Sequence, residues 1–147
     1  MNLAIVYTSK TGNTEELVYV LRDLFLRKKI EVCLFRSDQF PLQDLPSFDA
    51  VIIGTYTWGD GEIPVEMRAL YRAFETMDTK HVVTGVVGTG DSFYPHFCGA
   101  VDAFRDMLYA HCRLAVTLKI EVSPQTTDLE RCRRFADTIW NKIENGA

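Results

Sequence analysis

Residues 1–25 read MNLAIVYTSKTGNTEELVYVLRDLF, and three elements follow one another in that stretch. Leu3–Tyr7 is an apolar run that ends in small polar residues, the pattern of a buried strand. Thr8-Ser9-Lys10-Thr11-Gly12-Asn13-Thr14 is a polar loop. From about Asn13, apolar residues recur at helical spacing: Leu17, Leu21, Leu24 and Phe25. Glu15 and Glu16 stand in the first turn and Arg27, Lys28 and Lys29 in the last, an order that complements the helix dipole. A strand that turns directly into a helix is how a parallel sheet begins, because parallel neighbours need crossover helices.

The alternation continues outward from that opening. Ile30–Phe35, Asp49–Thr55, His81–Val87 and Leu114–Ile120 read as further strands, with Gly88 closing the fourth. Helices are expected from near Pro64 (Leu70 and Phe74 on one face), around Phe97, Val101, Phe104 and Leu108, and around Leu129, Cys132, Phe135, Ile139 and Ile143. Arg36–Phe48, with Pro41 and Pro46, reads as a linking loop. Five strands with intervening helices make an α/β protein whose right-handed crossovers cover both sheet faces. Ligands in such folds bind beyond the carboxyl ends of the strands, where the strand order reverses. No repeat or linker divides the chain, so residues 1–147 are expected to form one domain.

Composition narrows the function. Hydrophobic residues make up 47%, enough for a substantial core and too many for disorder. No apolar run approaches a membrane span, and the N-terminus lacks the basic segment of a signal peptide, so a cytoplasmic protein is expected. Cys33, Cys98, Cys112 and Cys132 form no C-x-x-C pair and His81, His96 and His111 are scattered, which argues against a zinc site or a disulfide scaffold. The net charge of −4 disfavours nucleic acid and anionic membranes and favours basic partner surfaces.

Three loops at strand ends carry the chemistry. Thr8–Thr14 opens a helix, where free amides attract an anion and hydroxyls add donors. Its spacing matches neither a Walker A loop nor G-x-G-x-x-G, so a single phosphate monoester suits it best. A helix cap with no ligand accounts for the loop equally well in isolation. Thr55-Tyr56-Thr57-Trp58-Gly59-Asp60-Gly61-Glu62 sets a Trp in a polar, Gly-flanked loop, either as a plate for an aromatic ring or folded back on the core. Gly88-Thr89-Gly90-Asp91-Ser92-Phe93-Tyr94 offers a second plate in Tyr94, or a Gly-rich turn with surface aromatics. One ring between Trp58 and Tyr94, with its phosphate at Ser9–Thr14, unites all three.

Together these segments resemble the flavodoxin family, short-chain class. The likeness rests on S-K-T-G-N-T at Ser9–Thr14, T-W-G-D at Thr57–Asp60, G-D-S-x-Y at Gly90–Tyr94 and F-C-G-A-V-D at Phe97–Asp102. It covers nearly the whole chain. The resemblance, not the periodicity, implies a three-layer sandwich with sheet order 2-1-3-4-5 and FMN at the switch point. It implies cofactor contacts from Ser9, Lys10, Thr11, Gly12, Asn13 and Thr14, from Thr55, Tyr56, Thr57, Trp58 and Gly59, and from Thr89, Gly90, Asp91, Tyr94, Phe97 and Cys98. Lys10 departs from the family's usual uncharged loop, and Tyr56 stands where smaller residues are usual.

What the resemblance implies functionally is a low-potential one-electron carrier, a monomer that moves electrons from a flavoprotein reductase to redox enzymes docking at an acidic rim. Asp60, Glu62, Asp91 and Asp102 would disfavour a negatively charged reduced flavin. Gly59 would let the peptide after Trp58 flip towards flavin N5 at little cost. No nucleophile, general acid or metal site of an enzyme is evident. An FMN-dependent activator of ribonucleotide reductase would fit a shorter chain, and an NAD(P)H:quinone reductase would need a nicotinamide site. A response regulator would need a phosphorylatable Asp after the third strand, where Gly54-Thr55-Tyr56 stands instead.

Overall fold

The structure is a computed structural model that describes residues 1–146. Its sheet comprises β1 (Asn2–Tyr7), β2 (Glu31–Arg36), β3 (Ala50–Thr55), β4 (Val83–Gly90) and β5 (Arg113–Glu121). All pairings are parallel and the order is β2-β1-β3-β4-β5, as the resemblance implied. The helices are α1 (Asn13–Arg27), α2 (Arg68–Thr76), α3 (Gly99–His111) and α4 (Leu129–Glu144).

Side chains alternate across the pleat, so each strand feeds two cores. Leu3, Ile5 and Tyr7 of β1 join Leu21 and Phe25 of α1 and Phe135 and Ile139 of α4. Ala4 and Val6 face the other way, with Phe74 of α2 and Phe104 and Leu108 of α3. Phe25, Phe74, Phe104 and Phe135 are all fully buried. Each such ring contributes about 1.5–3 kcal/mol relative to exposure. β1 and β3 lie inside the sheet and every residue of β3 is buried, whereas the edge strands β2 and β5 are mostly half-buried. Central strands therefore read as continuous apolar runs.

Several boundaries differ from the sequence expectation for identifiable reasons. Arg36–Phe48 holds two short 3-10 turns, Ser37–Gln39 and Leu42–Ser47, and buries Leu45. Pro64 is extended and precedes a 3-10 turn, so α2 starts only at Arg68. Phe97 precedes α3 because Cys98 adopts a left-handed conformation (φ 52°) that interrupts the helix. Gly88 does not end β4: the strand runs on to Gly90, paired with Lys119, Ile120 and Glu121. A Cβ at Gly88 would sit 2.4 Å from Val101 Cγ2 and 2.9 Å from the Thr55 carbonyl, so glycine serves close packing of α3 there rather than a turn. Between Thr84 and Gly85 the pairing with β5 slips by one residue, leaving Ala115 as a bulge.

Candidate functional site

The loops after β1, β3 and β4 meet at the carboxyl edge of the sheet around a cleft of about 590 Å³, a size suited to a small-molecule ligand. The first wall is the turn into α1. Gly12 is left-handed (φ 90°), which a side chain would strain. Ser9 Oγ accepts from the amides of Gly12 at 3.1 Å and Glu15 at 3.3 Å. Among the described residues, the amides of Thr11, Asn13 and Thr14 donate to no protein acceptor. Unpaired donors at a helix start make an anion site.

The second wall is a tight hairpin. Trp58 N–H donates to the Glu62 carbonyl at 2.8 Å and Glu62 N–H donates back to the Trp58 carbonyl at 2.7 Å. Gly59 (φ 52°) and Gly61 (φ 93°) turn its tip. Trp58 remains half exposed in the cleft, not folded into the core. The third wall carries Tyr94, 67% exposed, in a turn where its amide donates to the Asp91 carbonyl at 3.1 Å. The base of α3 presses against the hairpin: Ala100 N–H donates to Thr57 Oγ1 at 3.1 Å.

Side chains lock the walls together. Buried Thr14 and Thr89 share a 2.8 Å hydroxyl bond that joins α1 to β4. Glu66 accepts from Thr8 Oγ1 at 3.1 Å and from the Tyr56 hydroxyl, which ties the first loop to the second. Burial and the Glu66 carboxylate push the Tyr56 phenol up to about 12. Burial alone would raise Glu66, but hydrogen bonds from Tyr56, its own backbone and Thr8, with the charge of Lys10, hold it below the usual carboxylate value. Cys98 lines the cleft as a buried thiol, raised to about 11 chiefly by desolvation. Asp102 is held by Lys119 at 2.9 Å and Arg105 at 3.0 Å, so its charge is largely offset.

Of the residues expected at the site, Lys10, Thr11, Asn13, Tyr56, Thr57, Trp58, Gly59, Thr89, Gly90, Asp91, Tyr94 and Cys98 line the cleft. Ser9, Gly12, Thr14, Thr55 and Phe97 do not. Ser9 and Thr14 instead shape and brace the loop through the bonds above. Asp60, Gly61, Pro95, His96 and Val122 complete the lining and were not among the expected contacts. Val122 has a left-handed backbone (φ 61°), rare for a β-branched residue, and its amide donates to the Gly90 carbonyl at 2.6 Å. Its only signal in the sequence is position: it follows the fifth strand, whose carboxyl end borders the same crevice. Among the described residues, no group of His, Cys, Asp or Glu side chains is arranged to hold a metal ion.

Comparison with known proteins agrees with this geometry. The family model described as Flavodoxin matches residues 5–135. "Probable flavodoxin 1" of Bacillus subtilis is 38% identical over 136 residues, covering 90% of this chain and 85% of that one. The flavodoxin of Maridesulfovibrio salexigens is 36% identical, covering 85% and 89%. The solved structure of the Streptococcus pneumoniae TIGR4 flavodoxin superposes with a TM-score of 0.91 at 33% identity, covering 97% and 99%.

Proposed function

The chain belongs to the flavodoxin family, an FMN-binding family of electron carriers, and from that premise we propose that it is a cytoplasmic one-electron shuttle between a flavoprotein reductase and redox enzymes. Bound FMN supplies the redox chemistry by accepting and releasing electrons singly. The protein supplies position, shielding and field.

The observation that carries the site assignment is the meeting, in one cleft, of Thr11 and Asn13, whose amides at the start of α1 are unpaired, with two half-open aromatic side chains. The amides of Thr11, Asn13 and Thr14 hold the phosphoryl end, helped by the Thr11 hydroxyl and by the proton of Ser9 Oγ, whose oxygen already accepts two amides. Trp58 and Tyr94 flank the ring. Thr89, Gly90 and Asp91 line the same cleft and would border the ring, and Cys98 lines the wall as a neutral thiol. The Trp58 carbonyl is committed to Glu62, while among the described residues the Gly59 carbonyl accepts no hydrogen bond. The Gly59 peptide at the hairpin tip is therefore free to reorient towards the ring.

Asp60 and Asp91 form an acidic rim around exposed Trp58, Phe93 and Tyr94. Such a rim disfavours negative charge on the ring and steers basic partner faces. The test is a reconstituted chain of NADPH, a flavoprotein reductase, the FMN-loaded protein and cytochrome c. Cytochrome reduction that requires this protein, and slows as salt rises, supports the shuttle. Sustained NADPH oxidation by the purified protein alone would instead make it an enzyme.

A further inference from the structure

The cleft holds one cation that the proposed function leaves unused. Lys10 Nζ lies 4.4 Å from the centroid of the Trp58 ring, and both side chains line the cleft. No other Lys or Arg lines it among the described residues. An ammonium over an indole face is held by the ring quadrupole, so the contact fixes the charge beside the aromatic plate. Salt bridges commit Lys119, Arg105 and Arg36 to carboxylates elsewhere, whereas Lys10 forms none among the described residues.

We propose that Lys10 is a potential-setting residue: held beside Trp58 at the cleft, its ammonium favours the flavin oxidation state with a negatively charged ring and holds the more negative couple above the value the acidic rim alone would impose. This inference rests on the FMN-binding reading. The step concerned adds one electron from an external reductant without proton uptake, so the ring gains one negative charge. The phosphoryl group keeps its charge through that step. Attraction between Lys10 and the phosphate therefore cancels from the potential and is felt only in the affinity for oxidised FMN. Glu66, Asp60 and Asp91 oppose Lys10 and stay in place when Lys10 alone is changed. Were the added charge ~7 Å from the ammonium, at an effective dielectric of ~40, it would be worth a roughly five- to tenfold preference for the reduced ring. For a one-electron couple that is about 40–60 mV.

The experiment is an anaerobic potentiometric titration with dithionite of the FMN-loaded protein and of Lys10→Met, Lys10→Gln, Lys10→Arg and Lys142→Met. Lys142 lies at the opposite end of the sheet, where its carbonyl accepts from Arg113 at the start of β5. Both neutral variants should move the more negative couple down by about 40–60 mV, five- to tenfold in reduced-state affinity. Lys10→Arg should restore most of the value, Lys142→Met should leave it unchanged, and the shift should shrink in high salt. An unmoved couple in both neutral variants, or an equal shift from Lys142→Met, overturns the assignment. Failure of the parent protein to retain FMN would sink the underlying reading; retained FMN with an unmoved potential sinks only the role of Lys10.

Discussion

Gly99→Ala adds one methyl group where α3 meets the Trp58 hairpin. A Cβ there would lie 2.7 Å from Gly61 Cα, 2.8 Å from the Gly61 carbonyl oxygen and 3.1 Å from its carbon, all backbone atoms. Ordinary contact begins near 3.4 Å, so the Gly61 turn must retreat by 3.4 − 2.7, or 0.7 Å. It has little room to rotate in place, because a Cβ at Gly61 would itself lie 2.8 Å from His96 Cβ. Overpacking of this kind costs about 1–3 kcal/mol. Alanine in the first helical turn returns up to ~1 kcal/mol over glycine, leaving a net loss of about 0–2 kcal/mol. With a urea slope of roughly 2 kcal/mol per M, the unfolding midpoint should fall by up to about 1 M. Trp58 rides on the same hairpin, and a gap of that size forfeits about a quarter to a half of each van der Waals contact with a stacked ring. FMN affinity, read by flavin fluorescence titration, should fall about tenfold, or ~1.4 kcal/mol. If Gly99→Ala is as stable as the parent and binds FMN equally well, the close approach of α3 to the hairpin does not govern the site.

Three further outcomes follow from the packing and the hydrogen bonds. Thr84 is fully buried beside the Ala115 bulge and its hydroxyl has no partner among the described residues; Thr84→Val should raise stability by about 1 kcal/mol, and thermal unfolding at a lower temperature would refute that. Thr14→Val leaves the buried Thr89 hydroxyl unpaired and should cost about 1–3 kcal/mol, whereas adding Thr89→Val should cost little more; a strictly additive double-mutant cycle would show that the pair does not couple. Glu66 titrates below its ordinary value when folded, so its contribution is present above the unfolded value of ~4.3 and is lost as pH falls through the folded one. The stability gap between the parent and Glu66→Gln should therefore close on acidification below about pH 4, and a gap that widens there has the wrong sign.

Periodicity sufficed for the five strands and the four α-helices because burial on the two sheet faces imposes it: Leu17, Leu21 and Phe25 face one core and Phe104 and Leu108 the other. Strand order was a different matter, since the alternation is the same for any parallel arrangement; it came from the resemblance of the three loops. Gly88 misled because glycine serves turns and close packing alike, and only the position of Val101 decides between them. At the site, residues near strand ends were legible from composition. The bracing contacts were not: Thr14 meets Thr89 across 75 residues and Thr8 meets Glu66 across 58, and neither leaves a local mark. Val122 was invisible for the same reason, as its strained backbone is stabilised by the Gly90 carbonyl of another strand.

The most direct measurement is an equilibrium FMN titration of the purified chain beside Trp58→Ala, followed by gel filtration. One equivalent of flavin should comigrate with the protein, its fluorescence quenched by the flanking rings, and binding should weaken when Trp58 is removed. Flavin that elutes free, or a Trp58→Ala protein that binds and quenches as well as the parent, would contradict it.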